Sequence, residues 1–69
     1  MNRTPVTSSN VASVGYDPGT MTLEVEFTNG SVYQYFDVPE AVYRELRGAT
    51  SVGTYLNQSI KNSYRYAQI

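Results

Sequence analysis

Three groups of residues in this sequence have types and spacings that could do chemistry. Tyr33 and Tyr35 stand two apart in SVYQYF, so on an extended strand both rings share a side. Rings presented in that way can stack nucleobases. The ordinary alternative is cross-strand pairing, or burial against a second subunit. Ser51 and Gly53 open the stretch SVGTYLN. A Ser cap with Gly in the first helical turn offers backbone N–H groups to an anion and lets it approach closely. The ordinary alternative is a plain Ser cap, with a Gly where another element packs. Asn57 and Lys61 follow at i,i+4 spacing on one helical face. At about 1.5 Å rise per residue Lys61 lies about 15 Å from the Ser51 end. One phosphate therefore cannot touch both ends of that helix within one chain, although a symmetric oligomer could bring them together.

Other chemistries find less support. Glu24 and Glu26 alternate on one strand face. They could be an acid/base pair or ligands for a hard cation, but such alternation is the ordinary pattern of an amphipathic strand. The chain has no His and no Cys. That excludes Ser/His/Asp and Cys/His nucleophiles, thiolate or imidazole metal sites, and disulfides. The sequence offers no catalytic residue, no metal site and no cofactor site, and reads as a non-enzymatic binding module.

Charge is uneven along the chain. The net charge is −1 over 69 residues, which argues against coating a long polyanion. Residues 1–40 set Arg3 against Asp17, Glu24, Glu26, Asp37 and Glu40, a net of −4. Residues 41–69 set Arg44, Arg47, Lys61 and Arg65 against Glu45, a net of +3. A local anion site fits the second half, with Lys61 and Arg65 as the cations nearest the tail. Seven Tyr with two Phe and no Trp suit a half-wet surface better than a dry core.

The elements that must position these groups read as one α+β domain. Residues 1–10 are rich in Ser, Thr, Asn and Pro and read as a flexible arm; residues 11–69 read as the domain. VASVGY at 11–16 is a short strand and DPGT a turn, with Gly19 expected at positive φ. MTLEVEF at 21–27 alternates as a half-buried strand does. Asn29-Gly30 marks a hairpin, and SVYQYF returns. A two-residue loop sets Phe27 opposite Val32, Val25 opposite Gln34 and Leu23 opposite Phe36. It also puts Glu26 opposite Tyr33 and Glu24 opposite Tyr35, giving a face of two carboxylates and two tyrosines. Pro39 begins a helix to about Arg47, stopped by Gly48. Ser51 caps a second helix through about Asn62, with Val52, Tyr55, Leu56, Ser59 and Ile60 inward. The tail SYRYAQI is either an extra strand or an arm onto a neighbour. The expected fold is a three-stranded antiparallel meander packed against two short helices, with an added C-terminal strand in the first case.

Certain residues carry a family resemblance. Gly15-Tyr16-Asp17, Leu23-Glu24-Val25-Glu26-Phe27, Asn29-Gly30, Tyr33-x-Tyr35 and Val38-Pro39 come first. Ser51-x-Gly53-x-Tyr55-Leu56-Asn57 follows, with Ile60-Lys61 and Tyr64. Over about Ser13 to Tyr66 the chain resembles the KTSC domain family, found at the C-terminus of some lysyl-tRNA synthetases and as stand-alone bacterial and phage proteins. The resemblance implies a compact α+β unit, brings no catalytic residues, and through the synthetase context suggests RNA as a partner.

The expectations are therefore these. The ligand is a nucleotide or short RNA, held by Tyr33, Tyr35, Ser51, Gly53, Asn57, Lys61 and Arg65. An oligomer of the chain could sequester a nucleotide signal. The alternative is a structural module that self-associates through its Tyr-rich sheet face. A core this small favours a homo-oligomer in either case. No apolar run approaches the roughly 18 residues of a membrane span, and the first residues lack the apolar segment of a secretory signal. A cytoplasmic location is expected.

Overall fold

Five antiparallel strands form one meander in sequence order. They are β1 (Thr4–Pro5), β2 (Val11–Asp17), β3 (Thr22–Phe27), β4 (Val32–Tyr35) and β5 (Tyr66–Gln68). Between β4 and β5 the chain makes α1 (Glu40–Gly48) and α2 (Val52–Tyr55), the latter continued by a π-helical turn over Leu56–Ile60. The computed structural model describes residues 2–69, and no helix among the described residues is long and apolar enough to cross a membrane.

The sheet has two strands more than the three-stranded meander expected. The C-terminal tail becomes β5: the Phe36 N–H donates to Arg65 O at 2.9 Å and the Ile69 N–H to Val32 O at 2.9 Å. The N-terminal segment, which composition reads as an arm, lies along β2 as β1, and the Val6 N–H donates to Ala12 O at 3.2 Å. Its path depends on Gly15, because a Cβ there would stand 2.6 Å from the Asn2 carbonyl oxygen.

The β3–β4 register is one residue off the two-residue-loop expectation. Leu23 pairs with Tyr35, Glu24 with Gln34, Val25 with Tyr33 and Glu26 with Val32. The Phe27 N–H donates to Ser31 O at 2.8 Å, and the Gly30 N–H donates back to Phe27 O at 3.0 Å. The loop is therefore Thr28-Asn29-Gly30, closed by Gly30 at φ +92°. A two-residue type I′ turn needs positive φ at both central residues. Asn29 does not have it, and its Oδ1 instead accepts the Ser31 N–H at 3.0 Å. One extra loop residue turns β4 over relative to β3. Tyr33 and Tyr35 thus share a face with Leu23 and Val25, and the expected face of paired tyrosines and glutamates does not form.

The helices cover that apolar face. Val14, Leu23, Val25 and Tyr35 from the sheet are buried with Leu46, Val52, Leu56 and Ile60 from the helical segment, and Val38 seals one end. Each fully buried Val, Leu or Ile contributes roughly 1.5–3 kcal/mol relative to exposure. Val14 and Tyr16 lie across from Val25 and Leu23, as a tight β2–β3 turn requires. In that turn the positive φ belongs to Met21 (54°), not to Gly19, whose N–H caps the Asp17 carboxylate at 2.9 Å. At the α1 entrance Asp37 turns the chain at φ 58°, a region Asp enters more readily than most residues, and its carboxylate is held by Arg65 at 2.9 Å. Pro39 is the extended residue just before α1 rather than its first helical residue.

The opposite face holds the carboxylates. Glu24 accepts from Gln34 Nε2 at 3.0 Å and meets the Arg3 guanidinium at 3.4 Å. Glu26 accepts the Ser13 hydroxyl at 3.0 Å.

Candidate ligand-binding site

Four aromatic rings line a surface cavity of about 500 Å³. Three come from the β3–β4 hairpin: Phe27, Tyr33 and Tyr35. The fourth, Tyr66, comes from β5. Phe27 and Tyr33 meet edge to face with centroids 5.7 Å apart, and Tyr66 lies 5.9 Å from Tyr33 and 5.8 Å from Tyr35. These spacings are the preferred ones for ring quadrupoles. Tyr35 is anchored in the core at 3% exposure while Tyr66 is 58% exposed, so the cup runs from a fixed floor to an open rim. Burial, with Tyr33 and Tyr66 adding to it, pushes the Tyr35 phenol above its ordinary value. It therefore stays a neutral hydrogen-bonding group throughout the physiological range.

The rim is polar and carries one cation. Lys61, at the end of the π-helical turn, holds its Nζ 5.2 Å from the Phe27 ring centroid, within cation–π range. The turn is marked by the Lys61 N–H donating to Leu56 O at 2.9 Å, five residues back. Extra residues of this kind inside helices recur at functional sites. Thr28 and Asn29 of the hairpin loop, Ser31 just after it, Asn62 after the helix and Asn10 before β2 complete the lining. No carboxylate is among them.

The second cavity, about 320 Å³, lies on the other side of Asn10. Its walls are Thr7 to Asn10 and Thr50 to Thr54, with Asn57. Ser51 caps α2 by accepting the Thr54 N–H at 3.2 Å and also donates to Thr54 Oγ1 at 2.9 Å. Gly53 is buried, and a Cβ there would overlap Asn10 Oδ1. This glycine lets the Ser8–Asn10 loop pack against the helix.

The structure thus divides the candidates drawn from sequence. Tyr33, Tyr35 and Lys61 come together in the aromatic cup. Ser51, Gly53 and Asn57 line the smaller, hydroxyl-rich cavity, so Asn57 and Lys61, one helical turn apart, serve different walls. Arg65 lines neither. Its guanidinium is exposed, bonds Asp37 at 2.9 Å and covers the Phe36 ring. Arg44 is similarly held by Glu40 at 2.9 Å, and Arg47 lies over Tyr43. Sequence reasoning missed Phe27, Tyr66 and Asn10. Phe27 read as core, Tyr66 as tail, and nothing local singles out an Asn in a Ser-rich loop.

Comparison with known proteins places this architecture. The KTSC domain model matches residues 7–64. The crystal structure of a KTSC domain protein from Yersinia pestis superposes with a TM-score of 0.93 at 38% identity, covering 99% of this chain and 96% of that one. A protein of Stutzerimonas stutzeri (strain A1501) is 44% identical over 70 residues, covering 100% of this chain and 99% of its own length. A lysine–tRNA ligase of Nostoc sp. (strain PCC 7120) is 43% identical over 61 residues, which cover 88% of this chain but 11% of the ligase. This chain belongs to the KTSC domain family.

Proposed function

We propose that the chain is a non-enzymatic module that holds one nucleotide unit, free or within a short RNA, with the base in the aromatic cup and the phosphate at Lys61. The observation that carries this reading is the convergence of Phe27, Tyr33, Tyr35 and Tyr66 with a single cation around a cavity of about 500 Å³. That volume is within the usual range for small-molecule sites. Base–aromatic stacking contributes about 1–3 kcal/mol per base. Glu24 and Glu26, which would repel a phosphate if they shared the tyrosine face, are engaged by Arg3, Gln34 and Ser13 on the other side of the sheet. With Lys61 alone at the cup, the affinity should fall with salt as for one phosphate contact rather than several. The name of the similar ligase, which puts tRNA with that protein, supports RNA as the wider ligand class.

Self-association is the second reading. Tyr66 in the outer strand β5 and Ile69 just after it are 58% and 65% exposed, and an outer strand with open backbone groups is a template for a second copy.

Calorimetric titration with UMP, CMP, AMP and GMP at about 50 mM salt, where phosphate contacts are strongest, tests both. At least one nucleotide should bind. Lys61→Ala and Tyr33→Ala should each weaken it about tenfold or more while the fold survives, since both side chains are only half-buried. Binding of none of the four would remove the nucleotide reading. Substitutions that lower the mass seen by light scattering, with affinity unchanged, would favour self-association.

A further inference from the structure

If the cup holds a base, as the nucleotide reading has it, the hydrogen-bonding groups around it bear on which kind of base. An amide side chain presents an acceptor on one limb and donors on the other, and its partners show which limb is free. Asn29 Oδ1 accepts the Ser31 N–H at 3.0 Å. Only oxygen can accept there, so of the two limbs of Asn29, which lines the cavity, Nδ2 is the one left free for a ligand. Asn10 is oriented by Ser8 and Gly53. Ser8 Oγ accepts the N–H groups of Asn10 and Val11, both at 3.4 Å. Its own proton is then left to donate, and it lies 3.1 Å from Asn10 Oδ1. The same oxygen is turned to Gly53, where a Cβ would overlap it. Asn10 walls both cavities, and with Oδ1 held toward Ser8 and Gly53 the limb left for the larger one is Nδ2.

Lys61 adds a group that donates and cannot accept. Three donors from three separate elements therefore rim the cup: the loop before β2, the hairpin loop and the helix end. No carboxylate balances them. The hydroxyls of Thr28, Ser31 and the tyrosines, and the Asn62 amide, can turn to suit either kind of partner.

We infer that the cup selects rings with an oxo acceptor at the pyrimidine 4- or purine 6-position, as in uracil or guanine, over rings with an amine there, because the amide oxygens of Asn10 and Asn29 are already engaged and their amide nitrogens are left for the ligand. An exocyclic amine set against a fixed amide N–H leaves two donors facing each other with no acceptor between them. A site built around hydrogen bonds discriminates strongly against such a mismatch.

UMP and CMP are the deciding pair, since they share ring size, sugar, phosphate and O2 and differ only along one edge, where the 4-oxo acceptor and N3–H of uracil become the 4-amine and bare N3 of cytosine. Calorimetry on the full chain should find UMP bound at least tenfold more tightly. Asn29→Asp keeps an acceptor for the Ser31 N–H but replaces the donor limb by an acceptor, and it sits on an exposed loop where folding is not at risk. It should bring the UMP/CMP ratio toward one, as should Asn10→Asp. UMP and CMP bound within twofold of each other would overturn the selectivity while leaving nucleotide binding standing. A tenfold preference unchanged in both variants would overturn the assignment to these amides. Binding of neither nucleotide would fail the nucleotide reading itself, and the selectivity with it.

Discussion

Replacing Tyr35 by Ala is expected to leave the chain largely unfolded at 25 °C. Tyr35 is 3% exposed and packs in the core with Leu23, Val25 and the helices. Removing a buried aromatic ring typically costs about 3–5 kcal/mol. A single core in a chain of this size rarely supplies more than about 3–5 kcal/mol in total, so the substitution consumes the whole margin. Tyr35→Phe should behave differently. The ring stays, and the hydroxyl borders the cavity, so stability should change by less than about 1 kcal/mol. Urea denaturation followed by circular dichroism checks both. A cooperative transition for Tyr35→Ala close to that of the unmodified chain would show that this ring is not the floor on which the cup stands.

The second large effect concerns the hairpin loop. Deleting Thr28 should abolish cooperative folding. The deletion converts the three-residue loop into the two-residue loop that Asn-Gly also accommodates, and β4 must then turn over. Gln34 would replace a tyrosine opposite Val25, Tyr33 and Tyr35 would leave the apolar face, and an amide would enter the core. The lost ring burial and an unsatisfied buried amide, about 1–3 kcal/mol for the latter, together exceed the stability such a chain has. The proton NMR spectrum should lose its dispersion. A well-dispersed spectrum with the tyrosines still close to Leu23 and Val25 would mean that something other than loop length sets the register.

That loop also marks where the sequence stops being legible. Alternation in MTLEVEF, the hairpin at Asn29-Gly30, the start of α1 beside Pro39 and the Ser51 cap all follow from local periodicity and local backbone chemistry. They placed β2 to β4, α1 and the start of α2 within a residue or two, whereas the helix expected to run to about Asn62 leaves α-geometry after Tyr55 and ends in the π-helical turn at Ile60. Asn-Gly, however, serves two loop lengths, and these have opposite consequences for every side chain that follows. Only the packed face decides between them: Tyr33 and Tyr35 fill the space beside Leu23 and Val25, where Gln34 cannot. β1 and β5 carry no period because they are two and three residues long and exposed; backbone pairing to a neighbouring strand holds them, not an apolar stripe. Asn10 was invisible for a related reason. Its place depends on Gly53, far away in sequence, leaving room for it. Tyr33, Tyr35 and Lys61 were legible as candidates because their residue types suggest stacking and phosphate contact, and the fold brings the three together. Ser51, Gly53 and Asn57 were legible by the same logic, but the structure puts them at the junction of the helix with the Ser8–Asn10 loop.

In the proposed function the ligand surface is the tyrosine face beside Lys61, and not the glutamate face. The most direct measurement is a map of backbone amide NMR shifts as UMP is added to the full chain at about 50 mM salt, where phosphate contacts are strongest. The account predicts perturbations concentrated at Phe27 to Ser31, Tyr33, Tyr35, Lys61, Asn62 and Tyr66, with Asn10 among them and the Arg3, Ser13 and Glu24 amides unmoved. Perturbations centred on Glu24 and Glu26, or none at any UMP concentration up to several millimolar, would contradict it.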